Sequence, residues 1–437
     1  MWDRRPALIA QCASVGDIVA ALDFARANDL EVAVRGGGHS VPGYAVCEGG
    51  IVVDLRPMTG IWVDRERRVA RVQPGVTWGD FDRETQLHGL ATTGGRVSTT
   101  GISGHILGSG SGWLERKFGL AADNLLAADL VTAGGELVRA SEDENADLFW
   151  GIRGGGGNFG VVTSFELRLH PVGPELLAGM VLHPAERAPE LARFYRDFMH
   201  DAPDEVASGM AFATAPAAPF VPTVLHDRPA VAVYAAYVGD VEEGEEVLRP
   251  LREWGPPDAD LIEPMPYTAF QTILDAGNAP GMHNYWWAEN FREVGDEAID
   301  TLVERAAAAT SPLTQLLLFP LGGALARVPN DATALGGRDA PWQYHALAVW
   351  SDADESDVHI AWARDTAEAL RPWTRPGIYL NYTSDDSEER VRETYGEGYE
   401  RLVALKDKYD PRNVFCLNQN IKPSRDAAAH GPAAPRE

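Results

Sequence analysis

The chain has 437 residues, 45% apolar and 23% charged, which is enough for two domains with cores of their own. Its net charge of −26, from 38 basic and 64 acidic residues, speaks against nucleic acid and anionic membranes as partners. No run approaches the roughly 20 apolar residues that span a bilayer, and three cysteines without metal spacing or a disulfide framework fit a reducing cytoplasm.

Ser14 with Asp17 reads as a capping box that opens an amphipathic helix, with Ile18, Ala21, Leu22 and Ala25 on one face. A buried strand is predicted over 31–34, and short strands over 51–55, 60–64 and 68–72. Thr77 and Asp80 cap a second helix that reaches about His88. Residues 94–112 are dense in Gly, Ser and Thr. They lie between ordered elements, so a buried loop that touches a ligand is expected there. The segment 145–150 reads as helix and 161–170 as a strand. After Pro171 and Pro174, strands (230–238, 315–319, 344–350) alternate with helices (242–253, 296–309, 360–369). A last helix is expected from Glu388 to Tyr409, stopped by Asp410-Pro411.

Three glycine-rich turns carry the chemistry. Gly36-Gly37-Gly38 follows a strand and ends in His39-Ser40. Without Cβ atoms the backbone turns sharply, and its N–H groups can converge on an anion beside a fixed imidazole. Gly155-Gly156-Gly157-Asn158-Phe159-Gly160 matches the dinucleotide pattern G-x-G-x-x-G. A Rossmann site needs strand, glycines, then helix. Here the order is helix, glycines, strand, so that reading fails. With the 94–112 loop, three separate turns remain to hold different parts of one long cofactor.

These residues resemble a known family. Arg35-Gly-Gly-Gly-His39-Ser40, Thr99-Thr100-Gly101-Ile102-Ser103-Gly104-His105, the run from Gly119 to Leu125 and the run from Asp147 to Gly160 carry the likeness. Near the C-terminus Tyr379-Leu380-Asn381-Tyr382 and Asp410 to Ile421 agree. Together they resemble the berberine bridge enzyme-like FAD-linked oxidases, within the vanillyl-alcohol oxidase / p-cresol methylhydroxylase (PCMH) flavoproteins. The resemblance implies an α+β fold: a two-lobed PCMH-type FAD-binding domain (1–173) and an α+β substrate domain (174–376) with an antiparallel sheet flanked by helices. A C-terminal segment (377–424) then completes the flavin site, and 425–437 is a disordered tail.

The same resemblance implies FAD held by Arg35, Gly36, Gly37, Gly38, His39 and Ser40 in the first turn. In the second turn it implies Thr99, Thr100, Gly101, Ser103, Gly104 and His105. Asn124, Gly157, Gly160, Val161, Val162, Asn418 and Asn420 complete the set. His39 is expected to bond to the flavin 8α-methyl carbon, fixing the ring and raising its potential. Many relatives add a cysteinyl bond eight residues before the position of His105. That position is Val97, so one covalent link is expected and no cysteinyl link. The family's oxygen-access position falls on Thr100, where aliphatic residues are common.

The chemistry implied is oxidation of a C–H bond next to an OH or amine of a small alcohol, sugar or amine, with O2 as acceptor giving H2O2. The alternatives are a dehydrogenase with another acceptor, or a flavin-binding protein without turnover. Tyr379 and Tyr382 are the candidate bases. On a strand they would point to opposite faces, and a phenolate would need a stabiliser such as Arg338 or His105. The aromatic run 282–287 either lines a substrate pocket or fills the core. Tyr285 and Trp287, with Asn381, are the residues expected on the substrate. The other expectations are no metal and a monomer or homodimer in the cytoplasm.

Overall fold

Ser14 and Asp17 exchange hydrogen bonds as a capping box, and the helix Val15–Ala27 starts there. Its buried Ile18, Ala21, Leu22 and Ala25 pack with Val32, Ile51 and Val53. Those residues belong to a parallel sheet ordered Leu8–Gln11, Ile51–Asp54, Val32–Arg35. This computed structural model describes residues 2–375, 377, 379–384 and 387–425. The expected disordered tail, from 426 onward, lies outside the described residues.

A second, antiparallel sheet follows in the order Ile61–Asp64, Val69–Val72, Val161–Arg168, Leu125–Val131, Leu137–Ser141. The third sheet is antiparallel and eight-stranded. Its order is Ala259–Asp260, Glu175–Pro184, Pro229–Tyr237, Val206–Thr214, Gln315–Pro320, Trp342–Trp350, His283–Phe291, with Glu263–Pro266 also on Glu175–Pro184. Helices Ala188–Asp201, Val241–Glu253, Asp296–Ala307 and Ser356–Leu370 cover one face and share a core with it. The other face carries Leu317, Phe319, Leu347 and Val349 against Trp113 and Phe270. Trp342–Trp350 is buried along its whole length, because both faces are covered and the usual alternation disappears. Among the described residues no helix is long and apolar enough to cross a membrane.

Three local expectations change. The 94–112 loop contains a helix, Ile102–Leu107. Ile102, Ser103, His105, Ile106 and Leu107 are all buried, so no solvent face exists to leave an amphipathic pattern. The segment Glu388–Tyr409 is two helices, Glu388–Tyr395 and Tyr399–Tyr409, broken where Gly396 takes φ +47. Tyr379 and Tyr382 bound a 3-10 turn, Leu380–Tyr382, rather than lying on a strand.

The C-terminal segment is pinned to the third glycine turn. Buried Lys406 donates from Nζ to Asn158 O at 3.0 Å, Phe415 O at 2.9 Å and Asp410 Oδ2 at 2.8 Å. Asn158 in turn accepts from Ile421 N and donates to Gln419 O. Helix Ala146–Ile152 precedes this turn and strand Val161–Arg168 follows it, the reverse of a Rossmann site.

Helix Trp78–Gln86 meets the short helix Tyr267–Gln271. Between them Asp82 is buried, with Oδ2 accepting from Gln271 Nε2 at 2.8 Å. Asp82 Oδ1, Gln271 Oε1 and Tyr267 OH have no protein partner. Burial pushes the Asp82 carboxyl from about 3.8 up to about 7, against the Gln271 bond that lowers it. The folded state therefore binds the proton more tightly than the unfolded chain. Stability is retained below the unfolded value and lost as pH rises to about 7. Asp82→Asn keeps the bond to Gln271 and cannot ionise. Thermal unfolding is expected to show the variant gaining on the wild type from about pH 5 to about pH 8, by on the order of 2–4 kcal/mol. A gap that does not change with pH overturns this.

Candidate active site

The strand Val32–Arg35 delivers the chain into Gly36-Gly37-Gly38. Of these three only Gly38 has a left-handed backbone, at φ +82. A Cβ on Gly37 would overlap the Gly101 backbone, and one on Gly36 would overlap Ser103 Oγ. The first glycine turn is thus pressed onto the second, and loop contact is one reason for glycine at 36, 37 and 101. Ser40 Oγ accepts from Tyr44 N at 3.1 Å and closes the turn.

His39 stands at the exposed end of this turn, with Nε2 3.0 Å from Thr99 Oγ1. The ring edge is open, but the cleft walls around it hold its pKa below the ordinary imidazole value. Asp275 and the Thr99 backbone pull the other way. Asp275 is itself fixed by Ser98 N at 2.8 Å. Around these turns four buried polar atoms lack a partner among the described residues: Arg35 Nε, Asn413 Oδ1, Asn418 Oδ1 and Asn420 Oδ1. They lie on the first turn and on the C-terminal segment that Asn418 Nδ2 ties to Gly157 O. A Cβ on Gly157 or Gly104 would meet nothing within 4 Å. Unsatisfied buried polar atoms and open glycine backbone are what a dinucleotide would fill, so the residues present fit FAD.

The other end of the 94–112 loop carries Arg96, which sequence reasoning passed over. Arg96 Nη1 donates to Ser111 Oγ at 2.8 Å and Nη2 to Glu115 Oε1 at 2.7 Å, both groups buried. Its guanidinium lies over the Phe319 ring at 4.1 Å, and its charge bears on the Tyr382 phenol. The Tyr379 and Tyr382 rings stack 5.4 Å apart at 20°. A 3-10 turn eclipses residues three apart, so both rings point the same way, not to opposite faces. Ser109 Oγ donates to Tyr379 OH at 3.1 Å. Burial pushes both phenols up, Tyr379 furthest. Arg96 pulls Tyr382 back down.

Arg338 and His105 are not the stabilising groups. Arg338 forms a two-pronged pair with Asp123, at 2.8 and 2.9 Å. His105 Nδ1 accepts from Trp78 Nε1 at 3.0 Å, and Nε2 lies 2.9 Å from Ser111 O. Burial lowers its pKa to about 4, so it is a neutral strut with both ring nitrogens in use.

Two of the residues expected on the substrate sit elsewhere. Tyr285 and Trp287 lie on the helix-covered face of strand His283–Phe291. They share that face with Ala348 and Ala346 on the neighbouring strand and pack into its core. Tyr285 OH accepts from Arg364 Nε at 3.1 Å, and Trp287 lies under Arg390 at 3.8 Å. The residue on the other face is Trp286, whose ring is 6.2 Å from Tyr382. Asn381 accepts from Gly110 N and donates to Gly104 O, which staples the turn after the short helix. Asn124 donates to Phe118 O and Leu120 O and accepts at Oδ1 from His170. Val161 and Val162 are buried in the core, and Gly160 abuts Val131 O. A small cavity of about 90 Å³ opens beside Tyr379, walled by Leu120, Leu321, Leu325 and Leu335 and lined also by Asn290, Gln343 and Arg375.

Residues 6–141 match an FAD binding domain family, and residues 378–422 match a berberine and berberine-like family. The chain is 35% identical to (R)-6-hydroxynicotine oxidase of Paenarthrobacter nicotinovorans over 97% of its own length and 93% of that protein's. It is 30% identical to an FAD-linked oxidoreductase of Dictyostelium discoideum, with 96% and 89% covered. The crystal structure of 6-hydroxy-D-nicotine oxidase from Arthrobacter nicotinovorans superposes with a TM-score of 0.86 at 32% identity, covering 97% of this chain and 93% of that one. The chain therefore belongs to the berberine bridge enzyme-like family of FAD-linked oxidoreductases.

Proposed function

We propose that the protein oxidises a small alcohol, sugar or amine with FAD linked covalently to His39 alone, and passes the electrons to O2. The observation that carries this is the span of one loop. The 94–112 segment touches His39 through Thr99 and Tyr379 through Ser109, and it carries the Arg96 charge that lowers the Tyr382 phenol, so cofactor anchor and tyrosine pair share one support. FAD, when bound, supplies the two-electron acceptor and the reaction with O2 that gives H2O2. The chain supplies the rest. Thr99 engages Nε2 of His39 and leaves Nδ1 for the link. Val97 can form no second link, because an aliphatic side chain has no nucleophile. Tyr382 takes the proton from the substrate heteroatom, helped by the Arg96 charge, while Tyr379 is held by Ser109.

Trp286 walls the substrate side of Tyr382. Trp286→Ala is expected to lower kcat/KM for ring-bearing substrates about tenfold, the loss of one aromatic contact. Trp287→Ala is expected to leave KM unchanged and to lower Tm, by about 2 kcal/mol or more of stability. Steady-state kinetics and thermal unfolding of the two variants check this, and reversed effects overturn the choice of face.

The test of the function is anaerobic mixing of the yellow holoprotein with alcohols, sugars and amines in turn, read as flavin bleaching. Oxygen uptake with peroxide release is then compared with dye reduction. Bleaching followed by peroxide supports the oxidase. Bleaching with dye reduction alone makes it a dehydrogenase. No bleaching by any class removes the enzymatic proposal.

A further inference from the structure

We infer that His345 recognises a hydrogen-bond donor on the substrate through an unprotonated Nδ1, fixed by the relay Asn290–Gln343–His345. This rests on the active-site reading proposed above. His345 stands on Trp342–Trp350, on the face turned away from the helices, opposite Ala288 on one neighbouring strand and Leu317 on the other. Its Nε2 lies 2.6 Å from Gln343 Oε1. Gln343 Nε2 in turn donates to Asn290 Oδ1 at 2.8 Å. An amide oxygen only accepts, so the ring proton sits on Nε2 and the lone pair on Nδ1.

Three features keep that lone pair available. Ala288 and Leu317 offer no side-chain donor, and among the described residues the His345 ring makes its hydrogen bond at Nε2 and none at Nδ1. The ring is held between Tyr382, with centroids 4.3 Å apart, and Phe319 at 5.0 Å, so it cannot swing away. Burial, and then the Arg96 charge, hold the imidazole well below its ordinary pKa, so it stays neutral across the working range.

The relay also faces the route in. Asn290 and Gln343, the two members of the relay next to His345, line the cavity beside Tyr379. The charged groups around that cavity are already paired: Glu115 with Arg96, Arg338 with Asp123, Arg375 with Asp339, and Glu289 with Arg390. Selection there falls to directional hydrogen bonds. An O–H or N–H on the ligand meets the Nδ1 lone pair. A ligand offering only acceptors sets two lone pairs against each other in a water-poor site, which costs affinity.

The test uses holoprotein labelled with ¹⁵N-histidine, with benzyl alcohol and toluene as probes of equal shape that differ by one hydroxyl. The His345 ring, assigned by loss of its signals in His345→Gln, is expected as the Nε2–H tautomer with no titration near neutral pH. Gln343→Leu is expected to mix the tautomers. Benzyl alcohol is expected to move the Nδ1 resonance, and toluene is not. His345→Leu is expected to weaken benzyl alcohol about five- to tenfold, the share of one hydrogen bond, and to leave toluene unchanged. A proton on Nδ1, an Nδ1 signal that benzyl alcohol does not move, or equal losses for both probes overturns the inference. Failure of the active-site reading would look different: a protein without a flavin band, whose His345 tautomer is still read by NMR.

Discussion

His39→Ala is expected to yield a protein that still takes up FAD but releases all of it on acid denaturation, whereas the wild type is expected to keep its colour in the pellet and one FAD in its intact mass. The two halves of this result have separate causes. Retention of free FAD depends on the glycine turns and on Arg35, Asn418 and Asn420, whose unpartnered buried atoms the substitution does not touch. The covalent half depends on one neutral imidazole. The cleft holds His39 below the ordinary pKa, so the nucleophilic form is present at neutral pH, and Thr99 at 3.0 Å sets which nitrogen is free. Val97 removes any second attachment, so the loss is complete rather than partial. Thr99→Val is expected to slow attachment and leave it possible, seen as a mixture of FAD-linked and unlinked masses. Covalent flavin in His39→Ala would overturn the assignment, and a wild type that releases its flavin would make the link non-covalent.

What could be read from the sequence was what local chemistry determines. The Ser14–Asp17 box and the Thr77 cap mark helix starts through side chains three residues away. The reversed order around 154–160 needs only its flanking elements. The active-site wall depended on partners far along the chain. In Tyr285-Trp286-Trp287 every residue is aromatic, so neither face looks different. Pairing with Trp342–Trp350 decides that Trp286 turns toward Tyr382. The spacing of Tyr379 and Tyr382 fits a strand and a 3-10 turn equally, with opposite consequences for the two rings. Arg96 looks like one polar residue in a glycine-rich loop until Glu115 and Phe319 come to it. His345 is hidden in a strand that is buried along its whole length.

Tyr382→Phe should lower the rate of flavin reduction by about 10²–10⁴-fold, the usual worth of a positioned proton acceptor, with substrate affinity little changed. Tyr379→Phe should cost far less, since its hydroxyl only accepts from buried Ser109, a bond worth about 1 kcal/mol. The pH dependence separates the two roles. A phenol is near pKa 10 when free. Burial raises Tyr382 and Arg96 lowers it, so the active form gains population as pH rises, and flavin reduction in the wild type should climb on the alkaline side. Removing the Arg96 charge should move that limb to higher pH. Arg96→Gln alone is a poor probe, because it strands Glu115 as a buried unpaired charge, at about 3–5 kcal/mol. The double variant Arg96→Gln/Glu115→Gln removes both charges and keeps amides that can bond each other; Glu115 raises Tyr382 by less than Arg96 lowers it, so the limb still moves to higher pH in this variant. Rapid-mixing kinetics across pH on wild type, Tyr382→Phe, Tyr379→Phe and this double variant decide the matter. If Tyr379→Phe carries the large loss, the base is the other ring of the stack. If neither tyrosine matters, the proton leaves by another group, and the limb should then be unmoved in the double variant.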